Sequence, residues 1–354
     1  MSIAERMLKI MANKHQPYDL AQMQSLPLEV KIRMTKQRIR DWYEYWDGMV
    51  YVSFSGGKDS TVLKHIVDSM YDDVPSLFVN TGLEYPEIQR FAMSQKNVVT
   101  VRPKMRFDEV LKKHGYPVIS KDVAQTIRTA KYNKDTYRYK KAIGTATDKQ
   151  GNSSQYNIPQ WAFLMDAPFD TSSRCCDVMK KAPIRAYEKE TGRKPFIGTM
   201  ASEGRARRLS WLKSGCNAFD AKKPTSQPMS FWTEQDILRY IKKYNVPYCS
   251  VYGDIVPVDD EEQLDGQITI YEALDDYDGA KLKTTGCNRT GCIFCMFGCH
   301  LEKEPNRFQR LKETHPRQYE YCIGGGEMVD GKWQPNKEGL GLGKVLDYIG
   351  VKKD

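Results

Sequence analysis

The sequence predicts an α/β fold built on a doubly wound parallel sheet, and three features predict it. Short apolar runs alternate with segments of helical period between residue 49 and about residue 130. A glycine-rich turn, SGGKDS, joins the first of these runs directly to a helical segment. No apolar stretch approaches the ~20 residues needed to cross a bilayer, so membrane-spanning classes are excluded.

In order, MVYVSFS reads as a buried strand and STVLKHIVDSMY as a helix. PSLFVNTG is a second strand ending in a turn, and YPEIQRFAMSQK is a helix with Pro86 in its first turn. VVTVRP is a third strand, and FDEVLKKHG a helix closed by Gly115. Ahead of this core, residues 1–47 form a helical arm. In it Val30, Ile32, Met34, Ile39, Trp42 and Trp46 make an imperfect apolar face that stops at Gly48. A packing arm and a homodimer contact both fit that face.

Beyond the core the period fades over 131–160, where KYNKDTYRYKK interleaves basic residues with Tyr132, Tyr137 and Tyr139. KPFIGTMASEGRARR reads as a core strand running into a basic loop. SFWTEQDILRYIKKYNVP is a helix capped by Thr233, with acids in its first turn and lysines near its end. An acidic insertion (254–278) and a cysteine-dense stretch, GCNRTGCIFCMFGC, follow. The expected organisation is an arm (1–47), a nucleotide-binding α/β domain (48–250), and the insertion plus a Cys-rich, metal-binding C-terminal region (251–354).

The composition suits a globular chain: 354 residues, 40% hydrophobic and 28% charged. Its net charge of +9 favours polyanionic partners. No signal peptide or membrane segment is evident, and a cytoplasmic location is the expectation. The nine cysteines are odd in number and mostly clustered, which points to metal or redox chemistry rather than a disulfide framework.

The turn at Ser55–Ser60 carries the sharpest chemistry. A glycine-rich turn between a parallel strand and a helix aims main-chain amides into one concavity at the positive end of the helix dipole, where phosphate is favoured. Gly56 and Gly57 would permit positive φ and close ligand approach. Ser55 and Ser60 supply hydroxyls, Lys58 a mobile charge, and Asp59 a carboxylate. The spacing fits neither the Walker A loop nor the dinucleotide fingerprint.

SFSGGKDSTVL resembles the PP-loop of the adenine nucleotide alpha hydrolases, which cleave ATP between its α and β phosphates. FVNTGLEYPE resembles the region after the second strand in the phosphoadenylylsulfate (PAPS) reductase-like branch. That resemblance sets Asn80, Thr81 and Gly82 near adenine or ribose, and offers Glu84 as an indirect Mg²⁺ ligand or simply a helix-start charge. GTMASEGRARR is similar to that branch's G-x-R-x-x-E-S-x-x-R segment, with Met200 or Ala201 in place of its arginine; Glu203, Arg205, Arg207 and Arg208 remain. QPMSFWTEQDILRYIKKYNVPY resembles its P-x-x-x-W-T-x-x-D-I-W-x-Y-I segment. The resemblance covers about residues 48–325.

The same family implies a cluster site. RCCDVMKKAPI resembles the R-C-C-x-x-R-K-x-x-P-L segment of adenylylsulfate (APS) reductases, which hold a [4Fe–4S] cluster with a Cys-Cys pair and a C-x-x-C. That implies Cys175, Cys176, Cys292 and Cys295. The local run Cys287, Cys292, Cys295 and Cys299 is a second ligand set, for Zn²⁺ or a cluster, of a kind seen in PP-loop enzymes of DNA phosphorothioation. Cys322, ahead of a glycine run, is a candidate nucleophile.

The implied function is ATP binding with Mg²⁺, cleavage to AMP and pyrophosphate to adenylylate a substrate, and sulfur transfer supported by the cluster. Sulfonucleotide reductases of this family generally lack the lysine-bearing loop and carry a C-terminal nucleophile. Here the loop is intact and DYIGVKKD has no cysteine, which places PAPS or APS reduction second. A non-catalytic nucleotide sensor in a modification or defence complex is third. The basic-aromatic segment 131–141 points to tRNA or DNA as substrate, or else to a surface helix with its tyrosines turned inward. A sulfur or electron donor protein is implied in the first two readings.

Overall fold

The protein, a computed structural model, is described over residues 14–258 and 280–354; the start of the expected arm and most of the expected acidic insertion lie outside the described residues. In chain order the elements are α1 (Pro17–Gln24), α2 (Leu28–Tyr45), β1 (Val50–Phe54), α3 (Lys58–Asp68), β2 (Ser76–Val79), α4 (Pro86–Ser94) and β3 (Val98–Val101). Then come α5 (Phe107–His114), α6 (Lys121–Tyr132), α7 (Tyr137–Ile143), α8 (Ala182–Thr191), β4 (Lys194–Ile197), α9 (Arg205–Ser214), β5 (Asn217–Ala218), β6 (Thr225–Ser226) and α10 (Glu234–Lys243). The chain continues through β7 (Ile255–Pro257), β8 (Leu282–Thr284), α11 (Arg307–Thr314), α12 (Pro316–Ile323), β9 (Glu327–Val329), β10 (Lys332–Gln334) and α13 (Leu342–Tyr348).

These elements form two compact units, each discontinuous in sequence, unlike the three consecutive segments expected. The first comprises the residues up to Asn80, Tyr85–Val101 and Ala186–Thr290; the second comprises Thr81–Glu84, Arg102–Arg185 and Gly291–Asp354.

The first unit holds the sheet, in the order β3-β2-β1-β4-β6-β5. β1 pairs in parallel with β2 (Val52 beside Ser76) and with β4 (Val52 beside Phe196), and only β5 runs antiparallel. β1 is central and covered on both faces, so Val50, Tyr51, Val52 and Phe54 are all buried and the strand reads as a continuous apolar run. α2 packs into the same core through Leu28, Ile32, Ile39 and Trp42. Its polar residues are tied down as well. Thr35 accepts from Trp232 Nε1 at 2.9 Å, and Lys31 pairs with Asp236 at 2.8 Å, both members nearly inaccessible. Removing either partner of that ion pair would strand a buried charge. Thr233 caps α10, accepting from the Asp236 amide.

RARRLSWLKS is a helix (α9), not the basic loop expected after β4. Its apolar pair, Trp211 and Leu212, is buried, and Trp211 stacks on His15 at 4.7 Å. Four charges in ten residues hid that short apolar face.

In the second unit, α7 lies in the stretch where periodicity faded and α6 ends at its start; Ser120 and Thr136 cap them. Tyr116 donates to Leu340 O at 2.9 Å and meets Phe169 edge-on, joining distant parts of the unit in one core. Gly115, at φ +94°, closes α5 where a Cβ would lie 2.3 Å from Asp170 O. Among the described residues no helix is long and apolar enough to cross a membrane.

Candidate nucleotide loop and cysteine pocket

In the first unit the SGGKDS turn follows β1 at the point where the sheet order reverses. The chain goes from β1 to β2 on one side and later returns as β4 on the other. Open α/β sheets bind ligands at the carboxyl ends of strands at such a point. β4 delivers Gly198 against the start of α3, where a Cβ would lie 3.1 Å from Asp59 O and 3.2 Å from Ser60 Cα.

Of the two loop glycines, only Gly56 has positive φ (+73°), and a Cβ there would press on Ile88 Cγ2 at 3.0 Å. Gly57, expected to share that conformation, is extended at φ −76° and serves as the N-cap of α3. What excludes a side chain from Gly57 is space: a Cβ would sit 3.2 Å from Tyr252 Oη and 3.3 Å from Ser55 Oγ.

The loop amides have protein partners rather than an open concavity. Ser55 N donates to Ser60 Oγ (3.2 Å), Gly57 N to Ser55 Oγ (3.3 Å), and Lys58 N to Tyr252 Oη (3.2 Å). Tyr252 Oη also lies 2.7 Å from Thr290 Oγ1. Lys58 is buried, and its Nζ reaches Asn288 O at 2.6 Å and Glu234 Oε1 at 3.0 Å. Each of these bonds is one a phosphate oxygen can replace. Tyr252, Glu234 and Asn288 carried no signal in the sequence, because their role arises only when distant segments converge on the loop.

Asp59 Oδ1 is buried and has no hydrogen-bond partner among the described residues. Burial pushes its carboxyl up to about 6, against the opposing pull of Lys58. An orphaned buried carboxylate oxygen beside a phosphate-type loop suits a divalent cation entering with a nucleotide. Glu203 accepts from Met200 N at 2.7 Å and pairs with Arg207. Arg205 and Arg208 are exposed in the first turn of α9. Asn80 is buried, its amide donating to Val101 O and its Nδ2 lying 3.8 Å from Met93 Sδ.

In the second unit Glu84 is occupied locally: it accepts from Thr81 N (3.1 Å) and Thr81 Oγ1 (2.8 Å), closing the turn over Gly82. Four cysteines from two distant segments line one small pocket with Leu83, Phe107, Pro117, Met179, Lys180 and Phe294. Cys175 and Cys176 stand at the head of a π-turn (Asp177–Lys181), a distortion that re-aims side chains and recurs at functional sites. The Cys292–Cys295 turn is pinned by Ile293 N to Leu83 O (2.8 Å) and by Arg307 Nη1 to Cys295 O (2.8 Å).

The sulfurs of Cys175 and Cys176 are 4.0 Å apart. That contact and burial push the Cys175 thiol up, while the same contact, with Lys121 and Lys180, draws Cys176 down. Burial pushes Cys292 up to about 11 against the pull of Lys180. Burial opposes the charge on Lys180, but Cys292 and Glu84 outweigh it, so its pKa is raised.

A thiol-only donor set with neighbouring ammonium groups fits an iron–sulfur cluster or zinc by ligand type. Among the described residues no group of three or more His, Cys, Asp or Glu side chains has the arrangement of a metal site. The pocket holds the pair of cysteine pairs implied by the resemblance. From the alternative set, Cys299 is buried with its Sγ 3.0 Å from Met296 O and does not line this pocket. Cys322 does not fit a nucleophile: it is fully buried in α12, and burial pushes its thiol far up, removing both thiolate and access.

An uncharacterized protein of Methanocaldococcus jannaschii is 36% identical to this chain over 87 residues, spanning 22% of this chain and only 21% of that relative's length. Structural comparison with phosphoadenylyl-sulfate (PAPS) reductase from Candida auris in its phosphate complex gives a TM-score of 0.35 at 15% identity, over 61% of this chain and 82% of that one. The profile of the phosphoadenosine phosphosulfate reductase domain matches residues 49–117 and 119–296, well over half of the sequence. With the glycine turn set at the reversal point of a mostly parallel sheet, the chain belongs to the phosphoadenosine phosphosulfate reductase domain family.

Proposed function

We propose that this protein is an ATP pyrophosphatase that adenylylates a substrate and supports sulfur transfer. The observation that carries this reading is the buried Lys58, held with Asp59 at the head of α3 on the reversal point of the sheet. A substrate oxygen attacks the α-phosphorus of ATP, the bond to the bridging oxygen breaks, and pyrophosphate leaves. Lys58 and the loop amides then carry charge that grows on the departing β and γ phosphates, a role worth several kcal/mol in a buried site. Mg²⁺ accompanying the nucleotide would share that charge and ionise Asp59. Hydrosulfide-level sulfur next displaces AMP from the adenylylated carbon, leaving the carbon–sulfur bond without net redox change. Cys175, Cys176, Cys292 and Cys295 would hold a [4Fe–4S] cluster, or zinc, which when bound supplies a site for that sulfide.

The test is turnover of ATP labelled at the α phosphate, with Mg²⁺, hydrosulfide and candidate RNAs or DNA. AMP and pyrophosphate are expected. ADP and phosphate, or no nucleotide binding at all, would overturn the reading. The family description favours a second reading, sulfonucleotide reduction. Thioredoxin-dependent release of sulfite from PAPS or APS would establish it in place of the first.

A further inference from the structure

The segment around residue 135 is not used by either site, and it is the most basic aromatic stretch of the chain. From residue 128 to 150 there are seven lysines and arginines against two aspartates. Three of the cations serve the fold: Arg128 donates to His114 O, Lys131 to Ala167 O and Phe169 O, and buried Lys141 pairs with Asp122 at 2.5 Å. Among the described residues Lys134, Lys140 and Arg138 make no ion pair; all three are exposed, and Arg138 donates to Thr129 Oγ1.

Two of the three tyrosines do not turn inward, while Tyr139 is half-buried. Tyr132 is 57% exposed and Tyr137 56%. Tyr132 is nevertheless held still, because its hydroxyl donates to Asp170 (2.5 Å) and accepts from Lys332 (2.9 Å). Lys332, paired with Asp170, lies 5.2 Å from the centroid of that ring, and a fixed, exposed ring of this kind is a low-entropy stacking platform. A protein partner would meet a rim of uncompensated positive charge here; a strand of phosphates neutralises it.

We infer that the α6–α7 hairpin is a docking surface for single-stranded nucleic acid, with bases stacked on Tyr132 and Tyr137 and phosphates on Lys134, Arg138 and Lys140. This names the substrate class of the activity proposed above and rests on that reading for its meaning, but binding alone tests it.

The experiment is fluorescence anisotropy of the full chain with labelled single strands of RNA and of DNA, and with a duplex of the same length, without ATP. Three phosphate contacts predict a log–log salt slope of about −2, hence roughly 20-fold weaker binding between about 50 and 200 mM salt. Tyr137→Ala and Tyr132→Ala should each weaken binding by about 5-fold or more, and Lys134→Ala with Lys140→Ala should flatten the salt slope by about 1.4. Preference for RNA or DNA identifies the source, and either supports the surface. No saturable binding at low salt, equal binding of the duplex, or tyrosine variants that bind like the parent would each overturn it. ATP binding is measured in parallel by calorimetry. Strand binding lost with ATP binding intact sinks only this surface, and the reverse result sinks only the ATP reading.

Discussion

The phosphate-type loop and the cysteine pocket are built in opposite ways. The loop is six consecutive residues whose geometry follows from their own chemistry: one glycine at positive φ, a helix start, and hydroxyls that bond the neighbouring backbone. The pocket draws its sulfurs from two segments more than a hundred residues apart, and nothing within either segment dictates the other. A contiguous site can be read one residue at a time. An assembled site depends on the packing of the whole unit, so its members tolerate no such reading.

The largest expected effect separates the two regions outright. Lys58→Ala should lower AMP and pyrophosphate formation by about 10²–10³-fold while leaving bound metal per chain unchanged, as checked by product chromatography and elemental analysis. Loss of metal in that variant would show that the two sites are not independent. Next, Cys292→Ala should release bound iron or zinc and Cys299→Ala should retain it, because of these two Cys292 alone lines the pocket. The opposite pattern, read by iron, sulfide and zinc quantification, would restore the contiguous ligand set.

The third test concerns strain stored in the loop. The Asp59 carboxyl stands at about 6 in the fold against an ordinary value of 3.8. Between those values the folded chain holds more protons than the unfolded chain, so this group's contribution to stability falls as pH rises, by up to about 3 kcal/mol above pH 6. Asp59→Asn should therefore be more stable than the parent at pH 7.5 and equal to it near pH 3.8, by urea unfolding with chelator present. A difference that does not shrink toward acid would remove the buried carboxylate as its cause. The smallest effect is at the loop's cover: Tyr252→Phe deletes the hydroxyl that accepts from Lys58 N and should tighten ATP binding by about 2- to 5-fold in calorimetry. Weaker binding would mean that the hydroxyl assists the nucleotide instead.

Much of this molecule was legible before its coordinates. The alternation of strands and helices from Val50 onward, the proline at the start of α4, the Thr233 cap and the SGGKDS turn all rest on interactions within a few residues, which a sequence carries in full. Less legible were the helix hidden in RARRLSWLKS, whose buried pair is outnumbered by charge, and the extended φ of Gly57, which is that of a helix N-cap, with Tyr252 filling the space a side chain would need. The burial of Cys322 could not be read from a flexible-looking neighbourhood, since burial is a property of everything packed around a side chain. Likewise only tertiary structure decided that Tyr132 and Tyr137 face outward and that four particular cysteines share one wall. Local sterics and hydrogen bonding determined the elements and the loop; desolvation and long-range convergence, which have no period in the chain, determined which side chains could reach solvent, metal or one another.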